Sequence, residues 1–354
     1  MVLMVIDHAS MAFDGTHAPK DSAMYADAAT VALPAGEFLT RWITHLCAPT
    51  FVFLAGASLA LSVERRVAKG TPAWDIDKSI MTRGAIIVLL DLTVVSLGSG
   101  RWTLQVLYAI GLSMICMAFL RRLSSGMLLV LGLGWMVLGE VITGWVWNPP
   151  GSSSKLAALF VATYGSDSIN IKYPLFPWLA IMMVGWVFGR YAIDFNVRKQ
   201  GPSPRTIMIW AGVIAIVVFM FVRYLGGYGD MFLHRSDNSW QQWLHVSKYP
   251  PSLTFFGLEL GILALALAFL RTLEPRIGLR PNGVFLVFGQ TSMFFYLAHR
   301  LVFEVPATYF GLRGFGNLAT TYLVWAAMLA LLYPACLWYR GLKRAHPQSL
   351  LKYF

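Results

Sequence analysis

Apolar residues run along this chain in blocks of about twenty, broken by short polar stretches. A helix rises 1.5 Å per residue, so about twenty apolar residues cross a ~30 Å hydrocarbon core. Ten such spans are predicted, over 1–13, 38–63, 80–98, 102–120, 126–147, 174–193, 206–225, 252–270, 283–310 and 317–340. The fold class this predicts is all-α, a polytopic integral membrane helical bundle of about ten transmembrane helices, forming a single domain over 1–354. The first span is the exception. Met1–Phe13 makes only about 20 Å of helix, and no signal-peptide cleavage pattern follows it. The expectation is that the native gene continues upstream and completes this helix.

Composition agrees with the pattern: 57% of residues are hydrophobic, 13% are charged and the mean hydropathy is +0.61. The net charge of +11 changes the picture only through its distribution. Alternate loops collect Arg65, Arg66, Lys69, Lys78 and Arg83, then Arg121 and Arg122, then Arg190, Arg198, Lys199 and Arg205. Arg271, Arg276 and Arg280 follow, and finally Arg340, Lys343, Arg344 and Lys352. The positive-inside rule puts this set, and with it both termini, in the cytoplasm. The excess charge is then topological, and no nucleic acid is needed to explain it. The opposite loops, 14–37, 148–173 and 226–251, are longer and rich in Gly, Pro, Ser, Trp and Tyr. Such loops suit a substrate met from outside, though they serve equally as caps over the bundle.

Ionisable residues inside spans are costly and mark function when they face the bundle interior. Asp7 and His8 lie at the outer part of the first span, His45 opens the second, and His299-Arg300 interrupts the ninth. Arg41, Arg101 and Gln105 fall at the same level, and Glu259 lies about two turns into the eighth span. A neutral-range imidazole suits a general base, so His45, His299, Asp7 and His8 are the catalytic candidates. Arg101, Gln105, Arg41, Arg300 and Glu259 are the substrate-binding candidates. Each also has a purely structural reading, as a helix-packing hydrogen bond, a cap or an ion-pair partner. Pro49 cannot donate to the carbonyl of His45, which opens the helix there, and Gly56 admits a close neighbour. Cys47, Cys116 and Cys336 sit in apolar runs without metal-ligand spacing. No HExxH, P-loop or Rossmann glycine pattern is present, so no metal site is assigned and a nucleotide-driven pump is disfavoured.

Five stretches, in this order, carry a family resemblance: MVLMVIDHAS, APTFVFLAGAS, WTLQVLYAIG, YPLFPWLAIMMVGWVFGR and GQTSMFFYLAHRLVFE. Together they resemble the bacterial YeiB-like and heparan-alpha-glucosaminide N-acetyltransferase-related membrane proteins. The resemblance implies an acyltransferase of the bacterial cytoplasmic (inner) membrane. It would move an acyl group, acetyl by preference, from cytosolic acyl-CoA to an amine or hydroxyl of an extracytoplasmic sugar or glycan. Membrane lipids and a second copy of the chain are the other partners to consider. His45 falls where the eukaryotic enzyme carries an aspartate, Asp7 where it carries an asparagine, and His299 matches a histidine of a late span. That enzyme's proposed catalytic histidine lies in the loop before its Pro-x-Phe-Val-Phe span. The corresponding stretch here, DAATVALPAGEF, holds none, and His17 stands further upstream. The family's Asp-x-x-Arg-Gly opening is also absent. The rival reading is a transporter or proton-coupled permease with the histidines as a relay.

Overall fold

The computed structural model describes residues 1–16, 20–30, 34–278, 280–346, 348, 349 and 351. His17 and Lys352 therefore lie outside the described residues. The chain is mostly helical. Seven of its helical stretches are long and apolar enough to cross a membrane: Ala35–Ala68, Ala73–Ser99, Ser125–Gly144, Leu175–Arg198, Pro204–Leu225, Leu253–Ile277 and Leu318–Ala345. This is a multi-pass membrane protein. Three further predicted spans are helical but shorter or interrupted. The first is α1 (Val2–Phe13). The fourth starts late, because Trp102–Leu104 forms a strand, β1, and the helix only begins at Val106. The ninth is divided at Thr291 into two helices, Val284–Gln290 and Ser292–Tyr309.

The full helix order is α1, α2 (Ala35–Thr44), α3 (Cys47–Ala68), α4 (Ala73–Leu90), α5 (Ser96–Ser99), α6 (Val106–Leu120), α7 (Ser125–Gly144) and α8 (Lys155–Phe160). There follow α9 (Leu175–Arg198), α10 (Pro204–Leu225), α11 (Trp240–Leu244), α12 (Leu253–Ile277), α13 (Val284–Gln290), α14 (Ser292–Tyr309) and α15 (Leu318–Ala345). A π-helical turn, Asp91–Val95, joins α4 to α5. Many starts are capped by serine: Ser124, Ser154, Ser203, Ser239 and Ser252 each accept a backbone N–H of their helix. The central contact is α3 against α9. A Cβ at Gly185 would fall on the Phe53 carbonyl oxygen, and one at Gly56 on that of Met182. Glycine at both positions lets the two backbones touch.

The long loops gather at one end. Lys248 N donates to Asp21 O at 3.0 Å, Gly151 N to Met24 O at 2.9 Å, and Gln242 Nε2 to Ala29 O at 2.9 Å. There β1 runs parallel to β3 (Ile169–Ile171), with Thr103 opposite Asn170, and β3 pairs antiparallel with β2 (Tyr164–Gly165). Buried Arg223 ties the 226–251 loop to the bundle, pairing with Asp230 at 2.8 Å and donating to the carbonyls of Leu233 and Gln242. Basic residues of the short connections are paired as well. Arg121 and Arg122 both bind Asp77, at 2.7 and 2.5 Å, and Arg190 binds Glu64 at 3.0 Å.

Candidate active site

Three charged residues from three segments meet beneath the loops. Arg41, on the last turn of α2, donates from Nε and Nη2 to Asp21 Oδ2 at 2.8 and 2.6 Å, and from Nη1 to Asp7 Oδ1 on α1. All three are buried. The planar fork of a guanidinium suits such a bridge between carboxylates. Asp21 carries a second partner, His45 Nε2 at 3.1 Å, and His245 Nε2 stands 4.0 Å from its other oxygen. Burial alone would raise the Asp21 carboxyl, but Arg41 and then His45 outweigh it and hold it well below the usual carboxylate range. His245 is shifted the other way. Burial favours its neutral form and lowers it below the ordinary imidazole value against the pull of Asp21.

Asp21 also explains why an imidazole is tolerated where the bundle begins. His45 occupies the break between α2 and α3, and Pro49, in the first turn of α3, leaves its carbonyl without the usual helical donor. Its side chain is compensated by an anion supplied from a loop, while its Nδ1 has no hydrogen-bond partner among the described residues.

The other two histidines touch. His8 Nδ1 lies 2.7 Å from His299 Nε2, with the rings stacked at 4.9 Å and 14°. His299 Nδ1 lies 2.6 Å from the Phe295 carbonyl, one turn back on α14. A carbonyl only accepts, so His299 Nδ1 carries its proton. In the neutral ring His299 Nε2 is then an acceptor, and His8 Nδ1–H donates to it. The chain of bonds leaves the lone pair on His8 Nε2, and His8 lines a cavity.

That cavity has a volume of about 500 Å³ and a polar lining. Asp7, His8, Arg41, Arg101, Gln105 and Arg300 all contribute to its wall. Thr103 and Asn170, paired across β1 and β3, form another part, with Lys172, Tyr173 and Tyr249 beside them. Burial raises Tyr249, yet Lys248, Arg41 and Lys172 together bring it below the usual phenol value. Arg300 Nη1 is 2.9 Å from Glu304 Oε1 as an ion pair, and Arg313 Nη2 donates to Glu304 Oε2 at 2.9 Å.

A second cavity of about 600 Å³ is largely apolar, lined by α3, α6, α13 and α14 residues such as Phe51, Leu54, Ile110, Phe288 and Tyr296, with Arg83 of α4 among them. The two cavities are lined by successive stretches of the same segments. α1 gives Leu3 to one and Asp7 to the other. α14 gives Tyr296 and then Arg300, and the 103–107 stretch gives Leu107 and then Gln105.

Six of the nine sequence candidates thus share one wall, and His299 stands directly behind it. His45 and Glu259 line neither cavity. Glu259 is buried with both carboxylate oxygens unpartnered among the described residues. Sequence reasoning missed Asp21, His245, Lys248 and Glu304. Asp21 and His245 lie in loops, where charge is ordinary, and only the fold turns them inward. Among the described residues, no group of three His, Cys, Asp or Glu is arranged to hold a metal ion.

Residues 23–223, more than half of the chain, match the family model described as heparan-alpha-glucosaminide N-acetyltransferase, catalytic. No curated protein matches the chain.

Proposed function

This chain belongs to the heparan-alpha-glucosaminide N-acetyltransferase family, and from that premise we propose that it transfers an acetyl group from cytosolic acetyl-CoA to an amine or hydroxyl of an extracytoplasmic glycan. The observation that carries this reading is the pair of cavities lined by successive turns of the same segments, with His8 in the wall of the polar one. The polar cavity lies under the long loops and suits a sugar, whose hydroxyls need donors and acceptors. The apolar cavity suits the pantetheine arm and acyl group, with Arg83 available to a CoA phosphate. A reaction across the bilayer needs both substrates to reach one point from opposite sides.

His8 Nε2 takes the acceptor's proton. His299 holds the ring in the productive tautomer through the 2.7 Å bond and stabilises the imidazolium by accepting from Nδ1–H. Asp7, held by Arg41, is beside His8 in sequence and lines the same wall, where it adds a negative charge near the forming imidazolium. Arg101 and Gln105 bind the acceptor. His45 acts on this wall only through Asp21 and Arg41, and Glu259 lines neither cavity. In this reading the bundle has ten membrane passages, both termini face the cytoplasm and the protein lies in the cytoplasmic membrane of a bacterium.

The test is acetyl transfer by the purified full chain in detergent, with radiolabelled acetyl-CoA and a panel of amino sugars and neutral glycans. CoA thiol release that depends on an acceptor, with label recovered on that acceptor, supports the proposal. Binding of sugar without any thiol release would refute it.

A further inference from the structure

Along α14 two side chains, one in the wall of each cavity, carry polar atoms without a hydrogen-bond partner among the described residues: Tyr296 Oη and Arg300 Nε; Asp91 Oδ1 is a third such atom. All three residues are buried. Tyr296 faces the apolar cavity and Arg300, one turn further along α14, faces the polar one. The His8 ring lies edge-on to Tyr296 with centroids 6.0 Å apart. Arg300 is not idle, since Glu304 sits at 2.9 Å. Neither Nη1 nor Nε has a hydrogen-bond acceptor among the described residues, however. Asp91 is fixed through its other oxygen, which accepts the backbone N–H groups of Gln105 and Tyr108 at 2.6 and 2.8 Å.

Buried donors are nearly always paired, and leaving one bare costs about 1–3 kcal/mol. Two bare donors on adjacent helical turns, one in the wall of each cavity and near His8, are what a developing negative oxygen requires. We propose that Tyr296 Oη–H and the Arg300 guanidinium form the oxyanion site for the donor's thioester carbonyl. The proposal rests on the acetyl-transfer reading and adds to it a catalytic residue, Tyr296. The acceptor nitrogen or oxygen bonds to the carbonyl carbon while His8 Nε2 removes its proton. The carbonyl π pair moves onto oxygen, where Tyr296 and Arg300 donate to it. The pair then returns, the C–S bond breaks, and the CoA sulfur leaves with the proton held on His8. Asp91 and Glu304 balance the buried guanidinium, so its charge is supplied without an isolated ion in the bundle.

The test compares wild type, Tyr296→Phe and Arg300→Gln in acceptor-dependent CoA release. It is paired with binding of S-ethyl-CoA, a thioether that has the acyl shape and no carbonyl oxygen. Tyr296→Phe removes one oxygen and keeps the ring. Its kcat is expected to fall roughly 10²–10³-fold, with S-ethyl-CoA affinity held within about two-fold, since only the carbonyl contact is lost. Arg300→Gln should fall at least as far. A fall of less than about ten-fold in both variants overturns the proposal while leaving acetyl transfer intact. Loss of S-ethyl-CoA binding in step with activity, in both variants, also overturns it and makes these residues walls of the cavity. Absence of acetyl transfer in wild type would instead refute the underlying reading.

Discussion

His8 and His299 form one unit, joined at 2.7 Å from Nδ1 to Nε2, and the Phe295 carbonyl behind them decides which ring offers a lone pair to the cavity. The resemblance in the sequence points to His299, yet it is His8 that lines the cavity, and in the proposed reaction His8 is the base. His8→Gln is expected to lower kcat by about 10²–10⁴-fold, the usual cost of losing a general base. His299→Gln keeps a donor and an acceptor and should cost less, and His45→Gln less again. Turnover of the purified variants checks the order. His17→Gln belongs in the same series, because a collapse confined to that variant would move the base to the loop.

Asp21→Asn should destabilise the protein. Removing one member of a buried ion pair typically costs about 3–5 kcal/mol, and here Arg41 and His45 lose the same partner. Thermal unfolding in detergent measures the effect. Because the folded carboxyl lies below its ordinary 3.8, its contribution is complete above about pH 4 and is lost as pH falls through the folded value. The variant should therefore show a weaker acid dependence than wild type.

His245 predicts a second, separate window. Its folded value is lowered from 6.5 by burial, so below about pH 6.5 the unfolded chain binds the extra proton more readily. Stability should rise as pH climbs towards 6.5 and level off above it. In His245→Gln, which keeps a donor for the Lys20 carbonyl at 3.2 Å, that slope should shrink. An unchanged slope would assign the dependence to another group.

The orientation can be tested without activity. A single cysteine at position 199 should resist an impermeant thiol reagent in intact cells, and one in the 148–173 loop should react. Labelling of position 199 from outside would invert the topology.

At the α3–α9 contact, Gly185→Ala is expected to cost about 1–3 kcal/mol by overpacking, because the new methyl would displace the Phe53 carbonyl. Gly134→Ala serves as the control, since a Cβ there meets nothing within 4 Å. Unfolding midpoints that do not differ would argue against so close a contact.

Much of the bundle was legible in the sequence because lipid imposes one rule on every span, and runs such as Pro204–Leu225 satisfy it without help from neighbours. The wall containing Asp7, His8, Arg41 and Arg300 was legible for the same reason, as polar groups that lipid would not tolerate. What was not legible depends on tertiary contact. Nothing marks Asp21 as the partner of His45 and Arg41 until the loop folds inward. Trp102–Leu104 reads as the start of a span, yet it becomes a strand because Ile169–Ile171 lies alongside. The break at Thr291 is announced only by Gly289, a weak signal inside an apolar run.

The π-helical turn at Asp91–Val95 holds one residue more than an α-helix of the same length would need. Deleting a single residue there would let the helix close into ordinary α geometry with its backbone bonds intact. Because the surplus residue is taken up inside the one wide turn, the segments before and after it would keep nearly the same facing. The change would be local, at the place where Asp91 accepts the N–H groups of Gln105 and Tyr108 and Ser96 accepts that of Thr103. At this position the gene can lose three nucleotides and keep both its helix and the aim of its flanks, and what it risks is the grip of two side chains on the stretch that follows.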